Sequence, residues 1–366
     1  MPGSQVISTS RLEGENELHD LILGIGPLDH AAMRAARGRQ DALTKPRGSL
    51  GRLEQLSIQL AGITGDARPH MHEKLVVVIA GDHGIVEEGV SAYPQQVTAQ
   101  MVMNFLRGGA AISVLARQAG ARLRTVDMGI AGDIPPDPGL QICKIGRGTR
   151  NFAKGPAMSR DQALQSIMTG AVIAEEEIGR GVDLFAAGDM GIGNTTPAAA
   201  IAAVLTGRSA EELAGRGTGI DDDGLQRKVS AIRRGLDVNR PDARDGLDIL
   251  GKVGGFEIGG LAGMILGAAA HRKPVVIDGY ISTAAAMIAV RLAPAARDYL
   301  IAAHVSAEGG HRLMLAWLDL EPLLDLSMRL GEGTGAVLAM NLVEAACRVL
   351  AEMATFDEAG VSAKSG

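Results

Sequence analysis

The chain has 366 residues and a formal net charge of −6; 46% of its residues are hydrophobic, only 2% are aromatic, and 49 are glycine. That length suggests about two domains around a large aliphatic core, while an acidic chain with one Trp, three Tyr and five Phe lacks the basic face and stacking platforms that a nucleic-acid partner requires. Cys143 and Cys347 make no disulfide framework or metal site by spacing, the polar N-terminus carries no signal-type run, and the apolar stretch 258–270 is too short to cross a bilayer, so a cytoplasmic protein with no membrane partner is expected.

The first seventy residues read as helical. Leu18, Leu21 and Ile22, then Leu53, Leu56, Ile58, Leu60 and Ile63, recur at helical spacing. Between them the stretch LTKPRGSLGRLEQL at 43–56 is broken by a proline and two glycines, and Ser49 reads as the start of the following helix. Its cations Lys45, Arg47 and Arg52 either bind an anion or form a solvated basic turn.

From Lys74 the rhythm changes. LVVVIA at 75–80, RLRTVDMGI at 122–130, LQICKIGRGT from 140, the apolar run 182–187, PVVIDGYIST from 274 and YLIAAHVSAEGGH from 299 each read as a buried strand that ends in small and polar residues. Helical segments at 97–119, 161–180 and 253–270 lie between them. Strands alternating with helices specify an α/β fold with a parallel sheet covered on both sides, whose ligands bind beyond the carboxyl ends of the strands. The polar residues at that edge are Asp82, His83, Asp127, Asp189, Asp278, His304 and Ser306. Singly, each has a structural alternative: Asp127 or Asp278 as a cap of the next helix, His83 and His304 as core histidines.

The stretch GVDLFAAGDMGIGNTTP at 181–197 joins a strand, a glycine loop and a helix with proline near its first turn. Such a loop presents backbone N–H groups at the positive end of a helix dipole, which makes it a phosphate or nucleotide cradle, or else a tight turn. Past residue 320 the pattern reads as two helices around the turn GEGTGA at 331–336, the second with Thr334 as N-cap and an apolar face of Leu338, Leu342, Ala345, Val349 and Met353. Glu332 in that turn either complements the helix dipole or serves as a general base on a backbone kept thin for substrate. There is no GxSxG, GxxxxGK[ST], HExxH or GxGxxG. His70 and His72 read as a solvated loop, and no metal site stands out.

Seven runs in order, LTKPRGSLGRLE, AGDHGIVEEGVSAYPQQVTAQM, GDMGIGNTTPA, GRGTGIDDDGLQRK, FEIGGLAG, HVSAEGGH and GEGTGA, together resemble the nicotinate-nucleotide:dimethylbenzimidazole phosphoribosyltransferases of cobalamin biosynthesis. The resemblance spans about residues 40 to 350. It implies a doubly wound, Rossmann-like, mostly parallel sheet in a large domain at 70–320, a small helical domain from 1–69 plus 321–366, and a homodimer. It implies transfer of ribose 5-phosphate from nicotinate mononucleotide to 5,6-dimethylbenzimidazole with inversion at the ribosyl carbon, with no cofactor and no metal. Carried onto this chain, the general base falls on Glu332. The aryl pocket draws on Ser91, Tyr93, Gln100, Met190 and Leu330, and the nucleotide and phosphate contacts on Asp189, Gly191, Gly217, Thr218, Lys228, Gly279 and Ser306. Asp189 departs from the family pattern, where glutamate is expected. For Lys228 the alternative is a solvated lysine on a helix.

Overall fold

The computed structural model describes residues 14–362; residues 1–13, the stretch read as free of a signal sequence, lie outside the described residues. Six strands, β1 (Lys74–Gly81), β2 (Arg122–Gly129), β3 (Leu140–Ile142), β4 (Leu184–Met190), β5 (Val275–Ile277) and β6 (Leu300–Ala302), form one sheet in the order β3-β2-β1-β4-β5-β6. Every neighbouring pair is parallel, with Val78 of β1 facing Thr125 of β2 on one side and Gly188 of β4 on the other. This is the doubly wound order: the chain adds strands outward from β1 on one side and then from β4 on the other, and the switch between these two parallel strands opens a crevice at their carboxyl ends.

Period-two alternation divides β1 between two cores. Leu75, Val77 and Ile79 face a layer that includes Ile167, Leu261 and Ala285, from the helices Arg160–Gly179, Phe256–Ala270 and Tyr280–Leu292. Val76, Val78 and Ala80 face Leu60, Ile112, Val337, Met340 and Val343, from Arg52–Thr64, Ala111–Ala119 and Thr334–Glu352. With so few aromatics, the first layer packs by backbone approach. A Cβ on Gly263 would lie 1.7 Å from the Ile167 carbonyl, so these two helices touch only because glycine stands there.

Several local expectations are corrected. The stretch 97–119 is two helices, Val97–Leu106 and Ala111–Ala119, separated by a glycine pair. Gly51, not Ser49, caps Arg52–Thr64. Lys45 is neither solvated nor an anion site, because it is buried with its Nζ 2.7 Å from Glu54. No helix forms over residues 321–330. Pro322 disfavours helix just before it, and the next N–H groups bond to the strand edge instead: Leu323 to the Ala302 carbonyl at 3.0 Å and Leu324 to that of Ala303 at 2.9 Å. Gly333 rather than Thr334 occupies the N-cap of Thr334–Glu352. That helix buries Ala336, Met340, Val343 and Cys347, and the stripe read as apolar, Leu338, Leu342, Ala345 and Val349, is its half-exposed side. Among the described residues it is also the one helix long and apolar enough to cross a membrane, and it is mostly buried in the protein.

Candidate active site

A cavity of about 480 Å³ opens at the carboxyl edge of β4, β5 and β6. A more open groove of about 640 Å³ beside β6 is walled by paired surface charges such as Arg297 and Asp319 and touches none of the glycine loops.

β4 delivers Asp189 to the cavity floor, where its Oδ2 accepts from Asn194 Nδ2 at 2.9 Å across the glycine loop. The loop is fixed from behind: the Ile192 N–H donates to the buried Thr98 hydroxyl at 3.0 Å. The helix Thr195–Thr206 then begins at the cavity wall.

Opposite Asp189 stands the late turn. Gly331, Glu332 and Gly333 have φ of 84°, 63° and 90°, three left-handed residues in a row. For a glutamate that conformation costs about 1–2 kcal/mol. Two contacts hold it. A Cβ on Gly188 would lie 2.5 Å from the Glu332 carbonyl, so the turn sits directly on β4. Asp278, just past β5, accepts from the Gly333 N–H at 3.2 Å with Oδ2 and from the Ala336 N–H at 2.9 Å with Oδ1. Asp278 is thus a helix cap, as one reading had it, but of the helix that starts at Thr334 rather than the next one in the chain. His304 Nε2 lies 3.7 Å from the same carboxylate.

Glu332 is 5% exposed, and its Oε2 receives one long hydrogen bond, from the Ile112 N–H at 3.4 Å. Burial pushes its carboxyl above the ordinary range; that N–H opposes the shift and the Asp278 charge adds to it. Asp189 is pushed well up, first by burial and then by Asp278, against the pull of Asn194. A cluster of buried acids favours protons and cations at this floor.

Lys228 is fully buried behind Gly217, its Nζ donating to Thr195 Oγ1 at 2.9 Å and to the Gly215 carbonyl at 3.0 Å. The solvated alternative is excluded. Burial lowers its pKa to about 8. Tyr280 Oη donates to the Leu213 carbonyl at 2.6 Å and Arg329 Nη1 to that of Gly217 at 3.2 Å, and these bonds pin the 213–218 loop over the cavity.

Of the residues singled out from sequence, Tyr93, Asp189, Met190, Gly191, Gly217, Thr218, Gly279, Ser306, Leu330 and Glu332 line the cavity together. Three do not. Ser91 stands at the rim, its Oγ 3.3 Å from Thr218 Oγ1. Gln100 is exposed on Val97–Leu106, where the four-residue spacing turns Val97 and Met101 to the cavity instead. Lys228 lies one layer behind the wall. Sequence reading missed Tyr280, Glu308 and Arg329 as lining residues. Glu308 lay inside the quoted HVSAEGGH run, and Arg329 beside Leu330; Tyr280 carried no signal beyond following a strand.

His83 does not line the cavity but is buried behind Gly191, whose Cβ would lie 3.2 Å from its Nε2, and that nitrogen is 2.8 Å from Glu257 Oε1, whereas His304 lines the cavity. Asp127 accepts from the Gly129 and Ile130 N–H groups and pairs with Lys144 at 2.9 Å, so it shapes its own turn. Among the described residues no group of three or more His, Cys, Asp or Glu is placed to hold a metal ion.

Known proteins share this architecture and its sequence. A phosphoribosyltransferase family model matches residues 25–361. The nicotinate-nucleotide--dimethylbenzimidazole phosphoribosyltransferase of Roseiflexus sp. strain RS-1 is 60% identical over 95% of this chain and 98% of its own, and that of Chloroflexus aggregans is 62% identical over the same shares. A crystal structure of CobT from Thermus thermophilus superposes with a TM-score of 0.88 at 48% identity, covering 91% of this chain and all of that one. With a doubly wound sheet, a cavity at the carboxyl edge of its strands and this degree of identity along nearly its whole length, the chain belongs to the nicotinate-nucleotide:dimethylbenzimidazole phosphoribosyltransferase family.

Proposed function

We propose that the chain transfers ribose 5-phosphate from nicotinate mononucleotide to 5,6-dimethylbenzimidazole, giving α-ribazole 5′-phosphate and nicotinate for the nucleotide loop of cobalamin, with Glu332 as general base. One observation carries the assignment of the base: a buried glutamate held at φ 63° between two left-handed glycines, opening onto the same cavity as the glycine loop. A strained backbone around an uncompensated carboxylate makes sense as a reactive group.

In this reading the lone pair of one benzimidazole nitrogen attacks C1′ of the ribose from the face opposite nicotinate. The C1′–N bond breaks, its electron pair neutralises the pyridinium nitrogen, and the configuration inverts from β to α. Glu332 accepts the proton from the other ring nitrogen, a task suited to a carboxyl raised by burial. Nicotinate is a good leaving group already, so positioning supplies much of the rest. Asp189, whose burial beside Asp278 favours its protonated form in the free protein, gains a positive partner when the cationic donor ring binds, and that favours both the ring and the positive charge that develops on the ribose.

Tyr93, Met190 and Leu330, with Val97 and Met101, offer an apolar wall for the aromatic acceptor. Gly191, Gly217, Thr218, Gly279 and Ser306 take the ribose and phosphate of the donor, and Lys228 supports that subsite from behind through Thr195 and Gly215. Tyr93 and Leu330 are 55% and 58% exposed at the cavity mouth, which suits a homodimer whose second subunit covers them. The helices of both chain ends make the small domain, seated on one face of the sheet through Leu60, Val337 and Met340, and the enzyme works in the cytoplasm. The test is to incubate the protein with nicotinate mononucleotide and a panel of dimethylbenzimidazole, adenine and a phenol, and to follow nicotinate release. Release dependent on dimethylbenzimidazole is expected, and none with any base would overturn the reading.

A further inference from the structure

His311 is buried at 0% exposure, outside the cavity, on the helix His311–Leu318. Its two ring nitrogens join two loops. Nδ1 lies 2.8 Å from the Ser306 backbone nitrogen, whose N–H donates to it. Nε2 lies 2.8 Å from Thr283 Oγ1. The Thr283 hydroxyl has one hydrogen, and the Gly279 carbonyl at 2.6 Å takes it. Nε2 therefore carries the proton and Nδ1 has none. A second proton on the ring would set two donors nose to nose at Ser306.

The consequence reaches the cavity through Ser306. Its main-chain N–H is spent on His311, and its Oγ accepts from the Glu308 N–H at 3.3 Å. What remains is the hydroxyl hydrogen, free to donate to an oxygen in the cavity. Gly279, on the far side of the link, lines the same cavity.

We infer that His311 is a positioning residue, a neutral imidazole of fixed tautomer that ties the loop after β6 to the loop after β5 so that Ser306 offers a hydroxyl donor to the donor's phosphate. The inference rests on the reading of the cavity as the nucleotide site. The polar and charged neighbours of the ring are compatible with it. Tyr280 and His304 have ring centroids 6.4 Å and 6.3 Å away. Burial, then the charges of His304 and Arg312, lower the His311 pKa to about 3.

Two substitutions separate the two links. His311→Asn keeps an acceptor where Nδ1 stands, and His311→Gln keeps a donor where Nε2 stands but strands the Ser306 N–H. Loss of a buried hydrogen-bond partner corresponds to about tenfold or more in binding. His311→Gln is therefore expected to raise the calorimetric Kd and the KM for nicotinate mononucleotide by about that factor, with kcat and the KM for dimethylbenzimidazole little changed, and His311→Asn to stay within about threefold of the parent. Equal effects from both variants, or no effect from the glutamine, would overturn the inference. The parent enzyme supplies a check that needs no variant to fold. Nitrogen-15 NMR of the His311 ring is expected to show the neutral Nε2–H form unchanged from about pH 5 to 8, and a ring that titrates there or carries its proton on Nδ1 overturns it. If the parent fails to bind nicotinate mononucleotide at all, the reading of the cavity fails, while the tautomer measurement still decides the state of His311.

Discussion

Replacing Glu332 by glutamine keeps the side chain's shape, removes its charge and leaves the strained turn in place. Two effects of opposite sign are expected. Loss of a general base typically lowers turnover by about 10²–10⁴, or roughly 2.7–5.5 kcal/mol of barrier at about 1.36 kcal/mol per decade. Stability should move the other way. The folded-state pKa of Glu332 is raised by burial, so the folded state holds a proton that the unfolded state has released once pH exceeds the ordinary carboxylate value of about 4.3. Stability from this group is complete below that value and is lost as pH rises through the folded pKa. Glutamine cannot ionise and escapes the loss, so at pH 8 the variant should melt at a higher temperature than the parent. At about pH 4, where both states hold the proton, the gain should vanish. The assays are nicotinate release at saturating nucleotide, nucleotide binding by calorimetry, and thermal melts at the two pH values. Turnover within a few-fold of the parent would remove the base from Glu332. A lower melting temperature at pH 8 would show that the carboxylate stabilises the turn and that the argument from burial is wrong.

Gly188→Ala should damage function more than stability, because its Cβ would lie 2.5 Å from the Glu332 carbonyl and 2.9 Å from Val78 Cγ2, lifting the turn off β4; a kcat drop of about tenfold or more is expected, and unchanged kcat would refute the seat. Lys228, with its pKa near 8, loses its cation as pH rises through that value, so nucleotide affinity should fall above pH 8, and Lys228→Met should weaken binding and abolish this pH dependence in calorimetry. Asp189→Glu is expected to retain activity, since it keeps the carboxylate and only lengthens its reach by one methylene; complete loss in the turnover assay would show that the site is built around the shorter acid.

The sheet was legible because strands buried on both faces are continuous apolar runs, as in LVVVIA, and need no partner to be recognised. The polar residues at their ends fell on one edge for the same topological reason. What the chain hid were the decisions made by tertiary contacts. Residues 321–330 contain enough leucines to read as a helix, yet their backbone bonds run to β6. In Thr334–Glu352 the row of Leu338 and Leu342 reads as the apolar face, although the side packed on the sheet is the one with Ala336, Ala339, Met340 and Val343. Gln100 missed the cavity by one position on its helix, while Lys228 lies buried behind the wall because a charged residue on a helix can be fully buried when the chain around it supplies acceptors.

Asp278 shows why the site could be glimpsed but not assembled from sequence. An aspartate after a strand reads as a cap for the helix that follows it, and Asp278 does cap a helix, yet the helix starts 56 positions later and carries Glu332 at its entrance. By spending both oxygens on the Gly333 and Ala336 N–H groups, this buried carboxylate stabilises the turn that strains Glu332, and its charge simultaneously raises the Glu332 pKa. Burial is the larger cause of that rise, yet the carboxylate that seats the strained turn also adds to the proton affinity of the proposed base. That coupling explains why an acid already crowded by Asp189 and Glu332 is kept at the floor of the cavity: a neutral cap there would hold the turn with less force and leave the base weaker.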